Sequence, residues 1–257
     1  MHVTTLSITP VKGTRLASVE RIRLDVGGVA ENRRFFLIDE GCRMVNAKQI
    51  GELQRIVSRY DASARRLTLE FPGGRVLTGE PRLGAPLRAR FFSRQVSARP
   101  VLGEWSEAIS AHVGQPLRLV EAGEASAVDR GAAGAVSLIS RASLRRLAEQ
   151  GGLPELDPRR FRMLIEIDGV QAHAEDAWLD REVAIGEAVI RPRGHVGRCL
   201  ITSRDPESGV IDTPTLDILG AYRRELGTTE PLAFGIFGEV LAPGAIAVGD
   251  PVALLDG

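Results

Sequence analysis

Residues 195–209 read HVGRCLITSRDPESG and carry Cys199, one of only two cysteines among 257 residues. Asp205-Pro206-Glu207-Ser208-Gly209 is turn-forming throughout, since proline fixes φ and glycine takes positive φ without a steric cost. Leu200, Ile201 and Thr202, just before it, favour extended backbone. This reading places Cys199 near the beginning of a short strand that runs into a tight turn. On the residues alone, a cysteine so placed is open to four roles: packing, disulfide, nucleophile and metal ligand.

Working outward, residues 183–190 (VAIGEAVI) and 246–254 (IAVGDPVAL) each read as strand, Gly-acid turn and strand, a pairing common in small β-barrels. Thr213-Pro214 reads as cap and first turn of a helix burying Leu216, Leu219, Tyr222 and Leu226. Ser140 is placed to cap a helix with Leu144, Leu147 and Ala148 on its buried stripe, ended by Gly151-Gly152. Residues 162–167 form a β-prone run. The first hundred residues read mainly as strands, at 4–8, 21–26, 34–38, 66–71 and 86–90, separated by Gly- and Asp-rich turns. Trp105, Ala108, Ile109, His112 and Val113 fall on one helical face, stopped by Gly114. The small, polar segment 121–134 (EAGEASAVDRGAAG) is expected to be a domain boundary or mobile loop. The expectation is a mixed α/β, predominantly β fold: a β-barrel core with a few peripheral helices, and a β-rich N-terminal domain over 1–120 followed by a second domain over 121–257.

Composition narrows the function classes. With 44% apolar residues the chain can fill a core. The 33 basic residues balance 33 acidic ones, so no overall field draws nucleic acid or an anionic membrane, and neither is expected as a partner. No apolar run reaches the roughly 18 residues that span a bilayer. MHVTTLSITPVKG lacks the basic head and apolar core of a signal peptide, so a cytoplasmic location with reduced thiols is expected. Only Lys12 and Lys48 are lysines; the other 31 basic residues are arginines. A compact ammonium does what a planar guanidinium cannot. The two survivors, in PVKG and NAKQ, are therefore of interest beside the alternative of chance.

Taken together these segments resemble the MOSC family, named for the C-terminal domain of molybdenum-cofactor sulfurases, and within it the amidoxime-reducing components. Ile8-Thr9-Pro10-Val11-Lys12 is similar to the family's opening YPVKS, Asn32-Arg33-Arg34-Phe35-Phe36-Leu37-Ile38 to RDRFW(L), and Asn46-Ala47-Lys48-Gln49 to TARQ. Arg160-Phe161-Arg162, with its β-run and Asp168-Gly169, resembles RFRPN and the DG that follows it. Ala174-Glu175-Asp176-Ala177-Trp178 resembles the AED-x-W turn. Residues 198–209 resemble RC-x-x-TTVDPDTG, and Phe234-Gly235 with residues 243–250 the closing FG and PGTI-x-VGD.

The resemblance implies a molybdenum cofactor, the metal chelated by a pterin dithiolene (Mo-molybdopterin), with Cys199 as the protein's metal ligand and a catalytic residue. It implies that Lys12, Gly13, Arg34, Lys48, Arg162, Gly197 and Arg198 lie around that cofactor, as cations or bare backbone near its phosphate. For the arginines, a solvated strand edge or a structural ion pair is the competing reading. Four positions depart from the family pattern by losing a polar side chain: Gly13, Leu164 (after Met163), Gly197 and Phe237. His195 is new relative to the pattern. It reads either as a donor or general acid beside the substrate or as a polar residue at a strand start. His173 reads as a loop surface residue, Asp176 as a carboxylate cap and Trp178 as a ring packed on the barrel. Cys42 reads as incidental in a hairpin turn.

The implied activity is an oxidoreductase that reduces N-hydroxylated small molecules by oxygen-atom removal. No flavin or nucleotide fingerprint and no cysteine cluster is present to carry electrons, so a separate donor protein with flavin, haem or an iron–sulfur centre is implied. The alternatives are a sulfur- or cofactor-carrier domain using a Cys199 persulfide, partnered by a pyridoxal-phosphate cysteine desulfurase, and a non-catalytic anion-binding barrel.

Overall fold

Alternation decides which face of each strand is buried. In Arg21–Leu24 only Ile22 and Leu24 point inward, whereas Phe35–Ile38 is four apolar residues in a row, all buried. The structure, a computed structural model, describes residues 1–123, 129 and 131–255. The fold is mixed α/β and predominantly β, with three α-helices among the described residues: α1 (Trp105–Val113), α2 (Arg141–Gln150) and α3 (Thr215–Arg223).

Two lobes form around separate apolar cores. In the first, one sheet runs in the order Leu87–Phe91, Arg94–Leu102, Arg118–Ala122, Phe35–Ile38, Met44–Val45. Its two outer strands approach each other where the Arg90 amide donates to the Cys42 carbonyl at 2.8 Å. A second, three-stranded sheet (Val57–Asp61, Arg66–Glu70, Val76–Gly79) and α1, through Trp105, Ala108 and Ile109, complete that core. In the second lobe an eight-stranded sheet runs Val252–Leu254, Val183–Ile185, Ala188–Gly197, Ala233–Ala242, Val136–Ser140, Ile165–Asp168, His2–Ile8, Ala17–Val19. Backbone bonds from Val3 to Asp250 (2.9 Å) and from Val252 to Met1 (3.0 Å) bring its ends together. No sheet is closed among the described residues.

The chain's first strands do not stay with the lobe that follows them. His2–Ile8 and Ala17–Val19 join the eight-stranded sheet, and Arg21–Leu24 pairs with Gly244–Ala247. Between them, residues 9–15 loop out to touch the first lobe, where the Lys12 amide donates to Phe35 (2.8 Å) and the Arg15 amide to Ile56 (2.9 Å). Three buried hydroxyls pin this crossing: Thr14 Oγ1 lies 2.8 Å from Thr9 Oγ1 and 2.7 Å from Ser58 Oγ, and it donates to the Val11 carbonyl. Lys12 is thereby held at the lobe junction.

Several local expectations need correction. Residues 246–254 are strand, turn and strand as read, but the two strands find separate partners: Gly244–Ala247 pairs with Arg21–Leu24 and Val252–Leu254 with Val183–Ile185. Thr213 makes no side-chain cap; α3 starts after Pro214, and Leu226 lies beyond its end, exposed. Of the segment 121–134, Glu121 and Ala122 finish strand Arg118–Ala122 and Gly131–Gly134 is a 3-10 turn, while 124–128 and 130 lie outside the described residues. Ser140 caps α2 as expected, accepting from the Ser143 amide, and Trp178 is packed in the second lobe's core.

Thr14→Val keeps the shape of the side chain but removes the hydrogen bonds that Thr9 and Ser58 make to its hydroxyl in a dry site. It should lower stability by about 1–3 kcal/mol, read as a lower urea midpoint. An unchanged midpoint would mean that the hydroxyl trio does not hold the crossing.

Candidate functional site

Strand Ala188–Gly197 ends two residues before Cys199, which has extended backbone (φ −139°, ψ 178°) and precedes a 3-10 turn, Leu200–Ser203. Cys199 is therefore not at the start of a short strand. The β-formers that follow it are curled back, the Thr202 amide donating to the Cys199 carbonyl at 3.0 Å. The Asp205–Gly209 turn is as read: Asp205 Oδ1 accepts from the Ser208 amide and hydroxyl, each at 2.7 Å, and from the Glu207 amide at 3.2 Å.

This segment docks on the first lobe. Gln54 Nε2 donates to the Asp205 carbonyl (3.0 Å), Arg15 Nη2 to Glu207 O (3.0 Å) and Arg204 Nη2 to Lys48 O (3.3 Å). Gly209, at φ +75°, packs directly on the Gly51 backbone, and no Cβ fits at either position. Cys199 is partly exposed, and neither cysteine forms a disulfide.

Across the same junction lies a cluster of cations. Lys12 Nζ and Arg33 Nη1 both bind the Asp129 carboxylate, and Arg94 Nη2 donates to the Asp129 carbonyl at 2.7 Å. Arg33 Nη2 donates to the Arg162 carbonyl (2.8 Å), and Arg162 Nη2 to the Thr14 carbonyl (2.7 Å). Arg33 and Arg162 both have left-handed backbone, at φ 52° and 55°, a conformation that costs free energy and collects at functional sites. Lys12 Nζ also lies 5.6 Å and 5.7 Å from the ring centroids of Phe91 and Phe92. Phe92 in turn borders a hollow of about 380 Å³ that is also lined by Arg43, Met44, Gln49 and Arg90.

The electrostatics follow from burial and crowding. Burial, reinforced by Arg33 and Arg162, lowers the Lys12 pKa against the pull of Asp129. Burial and Arg33 bring Arg162 down to about 9. Burial alone would raise Asp129, yet Lys12 and Arg33 hold it well below the usual carboxylate range. Lys12, Arg33 and Arg162 thus outnumber the one carboxylate among them, an arrangement suited to a multiply charged anion.

The other expected residues are placed as follows. Arg34 turns away from the cluster to the buried Glu121, at 2.5 Å. Lys48 has an exposed side chain and takes part through its backbone. Gly13, at φ +99°, lies against the turn at Asn46-Ala47, where an added Cβ would come within 3.1 Å of the Ala47 nitrogen. Gly197 pairs with Ala233, and a Cβ there would meet Glu230 at 3.1 Å. Arg198 reaches the Phe161 and Phe234 carbonyls. Leu164 is buried in the core, and the Phe237 ring covers Gly194.

His195 is buried. Its Nδ1 lies 3.3 Å from Thr229 Oγ1 and its Nε2 3.8 Å from Asp176 Oδ1. Asp176 is not a cap but the partner of the buried Arg223, at 2.6 Å. His173 is half-buried in its loop rather than fully on the surface. Its Nε2 is buried without a partner and its ring is 5.9 Å from both Tyr222 and Phe234; burial, then Arg223, lower its pKa to about 4. Cys42 occupies the expected turn, with Arg118 Nη2 3.1 Å from its sulfur.

Arg33 and Asp129 are the site residues that sequence reasoning missed. The only signal for Arg33 was its place beside Arg34 just before a buried strand, and Asp129 is the one aspartate in the small-residue segment 121–134. Among the described residues no group of three or more His, Cys, Asp or Glu side chains converges to hold a metal ion.

Comparison with known proteins fits this geometry. A 99-residue match to the human protein named mitochondrial amidoxime reducing component 2 is 40% identical, covering 36% of this chain and 29% of that protein, under a third of its length. Mitochondrial amidoxime-reducing component 1 of Xenopus laevis is 27% identical over 97% of this chain and 81% of its own. The molybdenum cofactor sulfurase of Oryza sativa subsp. japonica is 25% identical over 92% of this chain and 32% of its own. Among the described residues, no helix is long and apolar enough to cross a membrane. The family model for the MOSC N-terminal beta barrel domain matches residues 1–116, and that for the MOSC domain matches residues 125–253. With both models matched in this order along one chain, the protein belongs to the MOSC-domain family.

Proposed function

We propose that the lobe junction binds a molybdenum cofactor and that the protein is an oxidoreductase removing oxygen from N-hydroxylated small molecules. The observation that carries this reading is the surplus of positive charge at the half-buried Lys12, Arg33 and Arg162, built on the same lobe junction on which the segment of the free Cys199 docks. The donor set fits the group. Three cations suit a phosphate dianion, and one thiolate suits a metal already chelated by dithiolene sulfur. When bound, the cofactor supplies a two-electron centre able to accept a substrate oxygen atom.

The protein's own groups then have distinct tasks. Lys12, Arg33 and Arg162 would hold the phosphate, in competition with the Asp129 carboxylate that two of them bind. Gly13, without a side chain, lets the backbone of the crossing lie close to the 46–47 turn and keeps Lys12 in place. Cys199 would supply a thiolate ligand to the metal. Arg34 is a structural partner of Glu121 and stays outside the contact set. His195 is likewise left out of the reacting groups, because its ring nitrogens face Thr229 and Asp176. The overall balance is an N-hydroxyl compound plus two electrons and two protons giving the N–H product and water. The electrons would come from a separate donor protein, since the sequence carries no flavin or nucleotide fingerprint and no cysteine cluster.

Protein from a cofactor-competent host should contain molybdenum and pterin in elemental analysis and pterin fluorescence. Cys199→Ser should lose molybdenum while keeping pterin, and Lys12→Ala should lose both. Equal occupancy in Lys12→Ala would remove that lysine from the site. A gain of about 32 Da on Cys199 with no molybdenum would instead favour a persulfide carrier.

Asp129→Asn removes the carboxylate that competes with an incoming anion. By calorimetry this variant should bind inorganic pyrophosphate about tenfold or more tightly than the parent. Weaker binding would mean that Asp129 supports the anion rather than competing with it.

A further inference from the structure

Among the groups that the proposed chemistry leaves unused, Arg198 precedes Cys199 in the chain while its side chain makes its contacts around Arg162. Its Nη1 donates to the Phe161 carbonyl at 2.8 Å and its Nε to the Phe234 carbonyl at 2.8 Å. Nη2 donates to the same Phe234 carbonyl and lies 3.1 Å from Met163 Sδ. The guanidinium carbon is 5.3 Å from the Phe161 ring centroid. The backbone opposite is kept bare to admit it: a Cβ at Gly235, φ +77°, would come within 3.3 Å of Nη2 and 2.9 Å of Met163 Cε.

These contacts bracket Arg162. The Phe161 carbonyl belongs to the peptide plane that enters Arg162, and Arg198 holds it. The Arg162 carbonyl belongs to the plane that leaves, and Arg33 holds that one at 2.8 Å. With both planes fixed, φ 55° at Arg162 persists although an L-residue resists it. The next residue after Arg198 is Cys199, whose backbone leaves the strand at this point.

We propose that Arg198 is a positioning residue that fixes the left-handed turn at Arg162 and the placement of the Cys199 thiol with one side chain. It keeps the anion-holding and metal-holding ends of the junction at a constant spacing. A lysine cannot substitute, because one ammonium on a flexible stem does not present a planar fork to two carbonyls. The proposal rests on the reading of Lys12, Arg33 and Arg162 as an anion site.

The test uses the full chain in a Cys42→Ser background, so that Cys199 is the only thiol. Arg198→Ala and Arg198→Lys are compared with that parent at one fixed pH. Inorganic pyrophosphate affinity is read by calorimetry, and the rate of Cys199 alkylation by iodoacetamide is read by mass spectrometry, with melting temperatures alongside. Both variants should bind pyrophosphate about tenfold more weakly and alkylate about tenfold faster or slower than the parent. Millimolar methylguanidinium, which restores the planar fork, should return Arg198→Ala toward parental values and leave Arg198→Lys unchanged. Parental affinity and alkylation in Arg198→Lys, whatever Arg198→Ala does, would overturn the proposal. Arg198→Lys keeps the stem and the charge, and decides the matter should Arg198→Ala fail to fold. A parent that binds no pyrophosphate refutes the anion site instead, and the alkylation rates still decide the role of Arg198.

Discussion

Gathering Lys12, Arg33 and Arg162 at one half-buried junction works against their mutual repulsion and their partial loss of water. The structure offsets this with Asp129, which binds two of them, and with the carbonyls of Thr14 and Arg162. The compensation is partial, as the lowered pKa values of Lys12 and Arg162 record. Under the proposed function, this under-compensation, with Arg33 and Arg162 held at positive φ, readies the junction for an anion.

The rest of the architecture serves that gathering. Because the first strands join the second lobe's sheet, the loop carrying Lys12 has to cross to the first lobe and back. Arg33 enters from the first lobe, just before its buried strand Phe35–Ile38, and Arg162 enters from the second, just before Ile165–Asp168. The Cys199–Gly209 segment closes the junction by docking on residues 48–54 through Arg204, Gln54 and the Gly51–Gly209 contact. Each site group is thus supplied by a different stretch of chain, and the junction holds only if both lobes are folded.

Features set by local chemistry were legible in the sequence. The Asp205–Gly209 turn, the Ser140 cap and the buried face of α1 follow from turn propensity, side-chain capping and helical period. The scarcity of lysine pointed to Lys12, although the same argument pointed equally to Lys48, which is exposed. What could not be read depends on contacts between distant residues. Whether Arg33 or Arg34 faces the junction turns on a left-handed residue just outside a strand, which alternation does not foresee. The separation of Gly244–Ala247 from Val252–Leu254 depends on partners more than 60 residues away. The burial of His173 and the pairing of Asp176 with Arg223 likewise arise only when α3 packs over the 174–178 turn.

The account stands on one spatial relation: an anion held by Lys12, Arg33 and Arg162 belongs to the same bound molecule as a metal on Cys199. An anomalous-scattering map at the molybdenum edge, from crystals of cofactor-loaded protein, tests it most directly. The account predicts a single metal peak within bonding distance of Cys199 Sγ, with phosphate density among the three cations and the Asp129 carboxylate displaced. A metal peak away from Cys199, or Asp129 still seated between Lys12 and Arg33 with cofactor bound, would contradict it.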